Sequence, residues 1–221
     1  MSISVIIPVL NEERSLDVLL EQLSEIDLIA DIVIVDGGSV DNTLQIAASH
    51  QKVKIVETLK GRALQMNEGA DNATSENLLF LHADSVLSQE LIQELSNMVH
   101  EGKPGAFELS FDYNHWLYRV YARFSRLNWS IFTYGDQGLF IQKSLFLKLD
   151  GFKNIPIMED LDMVRRIKRE ANFCKYPAKI ITSSRRFEKN GIIRQQLLNI
   201  ILVMAYYLGV KPQFLSRFYR Y

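Results

Sequence analysis

A chain of 221 residues, 48% hydrophobic and 23% charged, is long enough to bury one sizeable core and too apolar to be disordered or collagen-like. Its net charge of −1 hides a split: from Arg185 onward seven basic residues (Arg185, Arg186, Lys189, Arg194, Lys211, Arg217, Arg220) face one acid, Glu188, so the body before them is acidic. Such a tail suits an anionic partner, a phosphate-bearing molecule or a membrane surface, ahead of nucleic acid. Cys174 is the only cysteine, which excludes an intrachain disulfide and a cysteine-based zinc cluster. With no leader-like segment before Ile3, the expected setting is the reducing cytoplasm.

The first predicted element is a strand over Ile3 to Val9 (ISVIIPV), a β-branched run of strand length. Leu16, Leu19, Leu20 and Leu23 then recur at helical spacing, with Glu13, Asp17 and Glu21 among the solvent-facing positions. Ile32 to Val35 (IVIV) predicts a second strand, and Asp41-Asn42-Thr43 offers capping oxygens for a helix carrying Leu44, Ile46 and Ala47. Val53 to Val56 predicts a third strand, Ala63 to Ala73 a third helix, and Leu78 to Leu81 (LLFL) another buried strand. Near-continuous apolar strands alternating with helices imply a doubly wound, mostly parallel sheet with helices on both faces. No linker, repeat or low-complexity tract marks a second domain, so one domain over residues 1–221 is expected, with 192–221 a helical, basic-aromatic end.

Polar residues gather where these strands finish, the edge at which such sheets bind ligands. Pro8-Val9-Leu10-Asn11-Glu12-Glu13 follows the first, Asp36-Gly37-Gly38-Ser39 the second, and His82-Ala83-Asp84-Ser85 the fourth. Any one of these is ordinary turn or cap chemistry. Three of them, after the first, second and fourth strands, point to a site.

In order, Ile-Pro-Val-Leu-Asn-Glu-Glu, Val33 to Ser39 with Asp41 and Thr43, Gly61 to Gly69 (GRALQMNEG), His82-Ala83-Asp84, Gly138-Leu139-Phe140, Gly151-Phe152 and Met158-Glu159-Asp160-Leu161-Asp162 resemble family 2 glycosyltransferases. The resemblance spans roughly residues 3 to 190; each motif is weak alone, and their shared order carries the specificity. It implies a GT-A fold, a nucleotide-sugar donor, a divalent metal and transfer with inversion.

Carried over residue by residue, the resemblance implies that Asp36 recognises the nucleotide base, with Gly37 and Gly38 letting backbone approach the ligand. Pro8, Leu10 and Glu12 would line the same pocket, and His82 and Ala83 would lie beside the donor. The plain alternative for Asp36 is a helix cap. Asp84 ends the family's Asp-X-Asp motif, where a carboxylate holds Mg²⁺ or Mn²⁺ across the diphosphate. The first aspartate of that motif is replaced by His82, whose imidazole suits a ribose or phosphate contact, a softer ion, or a structural role. Arg62 would clamp ribose or phosphate, or simply sit solvated at a helix start. Glu159-Asp160 matches the family's Glu-Asp pair: Asp160 is the expected general base and Glu159 orients base or acceptor, although acids also favour helix N-termini through the dipole. Arg186 stands where larger members carry Gln-X-X-Arg-Trp and would touch phosphate. Without that glutamine and tryptophan, processive polymer synthesis loses support. Gly135-Asp136-Gln137-Gly138 reads equally as an acceptor-side wall and as a polar turn.

Two stretches suggest a membrane-surface contact and a lipid-linked acceptor. From Leu117, Val120, Tyr121 and Phe124 share one helical face and Arg119, Arg123 and Arg126 the other, with Trp116, Trp129, Phe132 and Tyr134 nearby. Leu197 to Val210 is almost wholly apolar but shorter than the ~17 to 25 residues a bilayer span needs. Packing on each other or across an oligomer interface is the competing reading. Two rival functions remain: a nucleotidyltransferase, disfavoured because Glu12 and Glu13 would repel a triphosphate, and a catalytically inert membrane-associated relative, supported by His82.

Overall fold

The computed structural model describes residues 1–113, 115–133, 135–183 and 191–219. Strands β1 (Ile3–Val9), β2 (Ile29–Asp36), β3 (Val53–Glu57) and β4 (Asn77–Phe80) alternate with helices α1 (Leu16–Ser24), α2 (Thr43–Ala48) and α3 (Arg62–Asn72). After β5 (Val86–Leu87) come α4 (Gln89–Glu101), β6 (Gly105–Phe111) and α5 (Trp116–Ser125). Short 3₁₀ turns at Ser130–Phe132 and Gly135–Gln137 lead to β7 (Leu139–Gln142), α6 (Lys143–Lys148), α7 (Glu159–Glu170) and β8 (Cys174–Thr182). The end of the chain carries α8 (Ile192–Tyr207) and α9 (Pro212–Leu215).

All eight strands join one sheet in the order β3-β2-β1-β4-β7-β6-β8-β5. Pairings β2–β3, β1–β2 and β1–β4 are parallel, as the β-α-β-α order requires, whereas β7 runs antiparallel to both β4 and β6. The sheet is therefore mixed. Along β1 side chains alternate between two cores: Val5, Ile7 and Val9 pack with Leu16, Leu19, Leu20 and Leu23 of α1, and Ile6 with Ala63, Met66 and Ala70 of α3. That two-sided burial is why the strand reads as a continuous apolar run.

The predicted elements shift by small amounts. The second strand begins three residues before Ile32 and the fourth at Asn77, because backbone pairing with β1 extends beyond the apolar stretch. The helix expected near Asp41 starts at Thr43, whose N–H is accepted by Asp41 Oδ1 at 3.0 Å. Helix α3 lies close on the sheet at Gly69, where a Cβ would stand 2.3 Å from Ile6 Cγ2 and 3.0 Å from Val35 Cγ2. No helix among the described residues is long and apolar enough to cross a membrane.

Candidate active site

The β1–α1 and β2–α2 loops lock together at the carboxyl edge of the sheet. Asn11, at φ 57°, donates its N–H to Ser39 Oγ and accepts from the Val40 N–H, each at 2.9 Å. Glu12 donates its N–H to Thr43 Oγ1 at 2.8 Å, while its carboxylate accepts from Ser15 Oγ at 2.9 Å. Asp36 is buried, and its carboxylate accepts the N–H groups of Gly38 and Ser39 and the Ser39 hydroxyl. It organises this turn, so a nucleobase reaching it shares a carboxylate already engaged. Pro8, Leu10 and Gly37 are half-buried around the turn and Gly38 is exposed.

Helix α3 explains the composition of GRALQMNEG. Gln65 is buried and donates Nε2 to Val9 O at 2.9 Å and Val35 O at 2.8 Å, tying the ends of β1 and β2 together. Asn67 makes a reciprocal pair with Phe152, donating to its carbonyl and accepting its N–H, both at 2.8 Å. Arg62, the first residue of the helix, points across the cleft.

There it meets residues from three other segments. Arg62 Nη2 lies 2.5 Å from His82 Nε2, and Nε lies 3.2 Å from Glu159 Oε1, an ion-pair contact. An arginine only donates, so His82 Nε2 must be the acceptor and the ring proton sits on Nδ1, which faces Asp136 Oδ1 at 3.3 Å. Glu159, Arg62, His82 and Asp136 thus form a chain of alternating partners. Burial pushes the Glu159 carboxyl above the ordinary carboxylate range, with Arg62 opposing the shift and Asp160 adding to it.

Asp160 stands beside this chain. Its Oδ2 accepts the Gly135 N–H at 2.6 Å and its Oδ1 accepts the Leu161 N–H at 2.8 Å. Both acids open α7, entered from Met158 at φ 68°, a left-handed conformation that an unbranched side chain tolerates at a cost. Asp162, one turn further, is latched by Lys153 at 2.7 Å and Arg166 at 2.6 Å, and Arg166 Nη2 also donates to Gly151 O. That latch fixes the helix end carrying Glu159 and Asp160.

Arg62, His82, Thr133, Gly135 and Asp160 line one open cleft. His82 and Asp84 follow β4, in a turn closed by the Ser85 N–H to His82 O at 3.1 Å; Ala83 is buried and packs in the core under α1. Arg186 lies outside the described residues. Among the described residues no group of three or more His, Cys, Asp or Glu side chains converges as a metal cage.

The residues hardest to find in sequence were Gly135 and Asp136. Their turn bonds Asp160 and His82, and the fully buried Gln137 in it donates to Phe132 O and accepts from Lys175 Nζ. Burial lowers the Lys175 ammonium from 10.5 to about 7, helped by the nearby Lys168 charge. The juxtaposition of turn and helix is tertiary, 25 residues apart, and leaves no local periodic signal.

The sequence profile described as glycosyl transferase family 2 matches residues 4–154. An uncharacterized glycosyltransferase of Synechocystis sp. is 31% identical over 112 residues, covering 46% of this chain and 35% of that protein. A 4,4'-diaponeurosporenoate glycosyltransferase of Staphylococcus haemolyticus is 31% identical over 138 residues, covering 57% of this chain and 36% of its own. The chain aligns with about a third of the length of each of those relatives. Among solved structures, S. aureus TarS residues 1–349 in complex with UDP superposes with a TM-score of 0.68 at 18% identity, covering 96% of this chain and 66% of that one. The corresponding UDP-GlcNAc complex gives 0.66, also at 18% identity, over 83% and 58%. The shared architecture is the GT-A fold, and with the profile spanning most of its length the chain belongs to glycosyl transferase family 2.

Proposed function

We propose that the protein transfers a sugar from a UDP-linked donor to an acceptor hydroxyl, with inversion at the anomeric carbon. The observation that carries this reading is the meeting of Arg62, His82 and Asp160 in one cleft at the carboxyl edge of the sheet. Family membership and the UDP and UDP-GlcNAc complexes of TarS support the donor class.

In this reading Asp160 accepts the acceptor proton as the acceptor oxygen bonds the anomeric carbon. The bond from that carbon to the diphosphate oxygen breaks, and UDP leaves with the electron pair. Two backbone N–H groups hold both Asp160 oxygens, fixing the direction of their remaining lone pairs. Arg62, oriented by Glu159 and His82, offers a cation to the departing diphosphate. Asp84, partly exposed beyond β4, would hold Mg²⁺ or Mn²⁺. A hard divalent cation used with a phosphate substrate is commonly held by one or two carboxylates, so a single aspartate oxygen donor such as Asp84 would suit it without a protein cage. Bound there, such an ion would offset charge on the leaving group.

Incubation with UDP-glucose, UDP-galactose and UDP-N-acetylglucosamine, each with Mn²⁺ and with chelator, tests the reading. Metal-dependent UDP release is expected with at least one donor and should be abolished by Asp84→Ala in a folded protein. Undiminished UDP binding by that variant in Mn²⁺ would remove Asp84 from the metal site. Absence of both UDP binding and UDP release in the parent protein would overturn the donor assignment.

A further inference from the structure

We propose that α5, the turn at Trp129–Phe132 and α8 together form a docking face for an anionic lipid surface, set beside the cleft. This rests on the transferase reading only for its purpose, which is to bring a membrane-held acceptor hydroxyl to Asp160.

The first observation is which side of each helix is buried. In α5 the inward residues are Tyr118 and Ser125, while Trp116, Val120 and Phe124 stand outward with Arg119 and Arg123. These apolar residues are thus turned to solvent. In α8, Leu202 and Val203 are buried, yet Leu197, Ile201 and Met204 are more than half exposed, and Leu208 just beyond is 83% exposed. Trp129, 64% exposed, stacks on Phe132 at 5.9 Å between the two helices. Single exposed apolar side chains are ordinary; rows of them along two helices mark a surface that something covers.

These elements are joined. Tyr207 at the end of α8 lies close to Ser130 beside Trp129, and its ring lies under the Arg165 guanidinium at 5.3 Å. Leu202 and Leu215 share a small core with Ile157, packed against Met158, so α8 is seated on the residues directly preceding Glu159 and Asp160. The turn itself continues into Thr133 and Gly135, which line the cleft.

Charge selects the occupant. Residues 115–133 and 191–219 contain six Lys and Arg (Arg119, Arg123, Arg126, Arg194, Lys211, Arg217) and no Asp or Glu, in a chain that holds 25 basic and 26 acidic residues overall. Arg126 is partly spoken for by Glu108 at 3.0 Å; the other five lie exposed on these segments. A second copy meeting this face about a two-fold axis would set cations against cations. An anionic bilayer complements them, and outward tryptophans beside arginines are the residues that settle at the headgroup level. At 16 residues α8 is too short to span, so it would lie in the interface plane.

Co-sedimentation of the full chain with vesicles of equal parts phosphatidylcholine and phosphatidylglycerol, against pure phosphatidylcholine, tests this. The protein is expected to pellet with the anionic vesicles and to be released by high salt. Charge-removing changes Arg194→Gln, Lys211→Gln and Arg217→Gln should each lower partition by about fivefold. The exposed-face triple change Ile193→Glu, Ile201→Glu, Leu208→Glu should lower it by more than about tenfold, with circular dichroism and UDP release from a soluble donor unchanged. Recovery of the parent protein in the supernatant with both vesicle types overturns the proposal. So does a lipid-free dimer, seen by sedimentation equilibrium, that the triple change dissociates. Either outcome leaves donor cleavage by the parent protein intact, so loss of this inference and loss of the transferase reading are separately visible.

Discussion

Gly135 donates its backbone N–H to Asp160 Oδ2 at 2.6 Å and leaves no room for a side chain: a Cβ there would stand 1.8 Å from Arg62 Nη2 and 3.1 Å from Asp160 Oδ2. One glycine therefore sets both the expected base and the expected diphosphate clamp. Gly135→Ala must push Arg62 away from His82 or tilt the turn away from Asp160. We expect kcat/KM to fall by about tenfold or more, equivalent to at least ~1.4 kcal/mol of transition-state stabilisation, with a melting temperature close to the parent's. Kinetics and UDP titration on the folded variant decide it, and parent-like values in both would show that Arg62 is not held by this contact.

Asp160→Asn tests the chemistry itself. The amide keeps one carbonyl oxygen for a backbone N–H but cannot take a proton. Turnover should drop by ~10² to 10⁴ while donor affinity changes little. Donor affinity falling in step with rate would move Asp160 into the nucleotide site.

Gln65→Leu removes the side-chain donor shared by two carbonyls, Val35 O and Val9 O, the latter keeping the Gly37 N–H at 3.0 Å. Two lost hydrogen bonds at ~0.5 to 1.5 kcal/mol each should lower stability in urea unfolding by about 1 to 3 kcal/mol. The Gly37–Ser39 turn, which rests on Gln65, should loosen with it. A variant with the parent's midpoint would show that water replaces the amide.

Lys175→Met should change stability in a pH-dependent way. The folded ammonium titrates at about 7 and the unfolded one near 10.5, so between these values the unfolded chain binds more protons and the parent gains stability as pH rises. Below pH 7 the parent carries the full cost of a buried charge, and near pH 10.5 that cost is gone. The variant's advantage over the parent should therefore shrink by about 2 to 4 kcal/mol from pH 6 to pH 10. A pH-independent difference in melting temperature would place the ammonium in water.

The β-α-β-α half is legible in the sequence because β1, β2 and β4 are buried on both faces and its helices on one, which leaves clear periodicities. The order β4-β7-β6-β8 was not legible: antiparallel insertion of β7 between β4 and β6 depends on sheet pairing that no local pattern encodes. At the site, Asp160, Glu159, Arg62 and His82 were singled out by motif order, and the structure brings these four together. Their mutual contacts were not foreseeable, because Arg62, His82, Asp136 and Glu159 come from four separate segments. The motif GRALQMNEG assigns no individual role to Gln65 or Asn67, although each carries two tertiary hydrogen bonds. The apolar residues of α5 are visible in composition, but burial and exposure of such a face look alike in one dimension.

Gly69 sits seven residues along α3 from Arg62, two helical turns or about 10 Å from the chemistry. Because it lets the helix rest directly on Ile6 and Val35, it sets the height at which the guanidinium is delivered over the cleft. A methyl group there would act as a shim under a lever. Under the proposed transfer, a sugar donor would feel a change made entirely within the protein's interior, at a position that never meets it, and selection on substrate use would then act on packing.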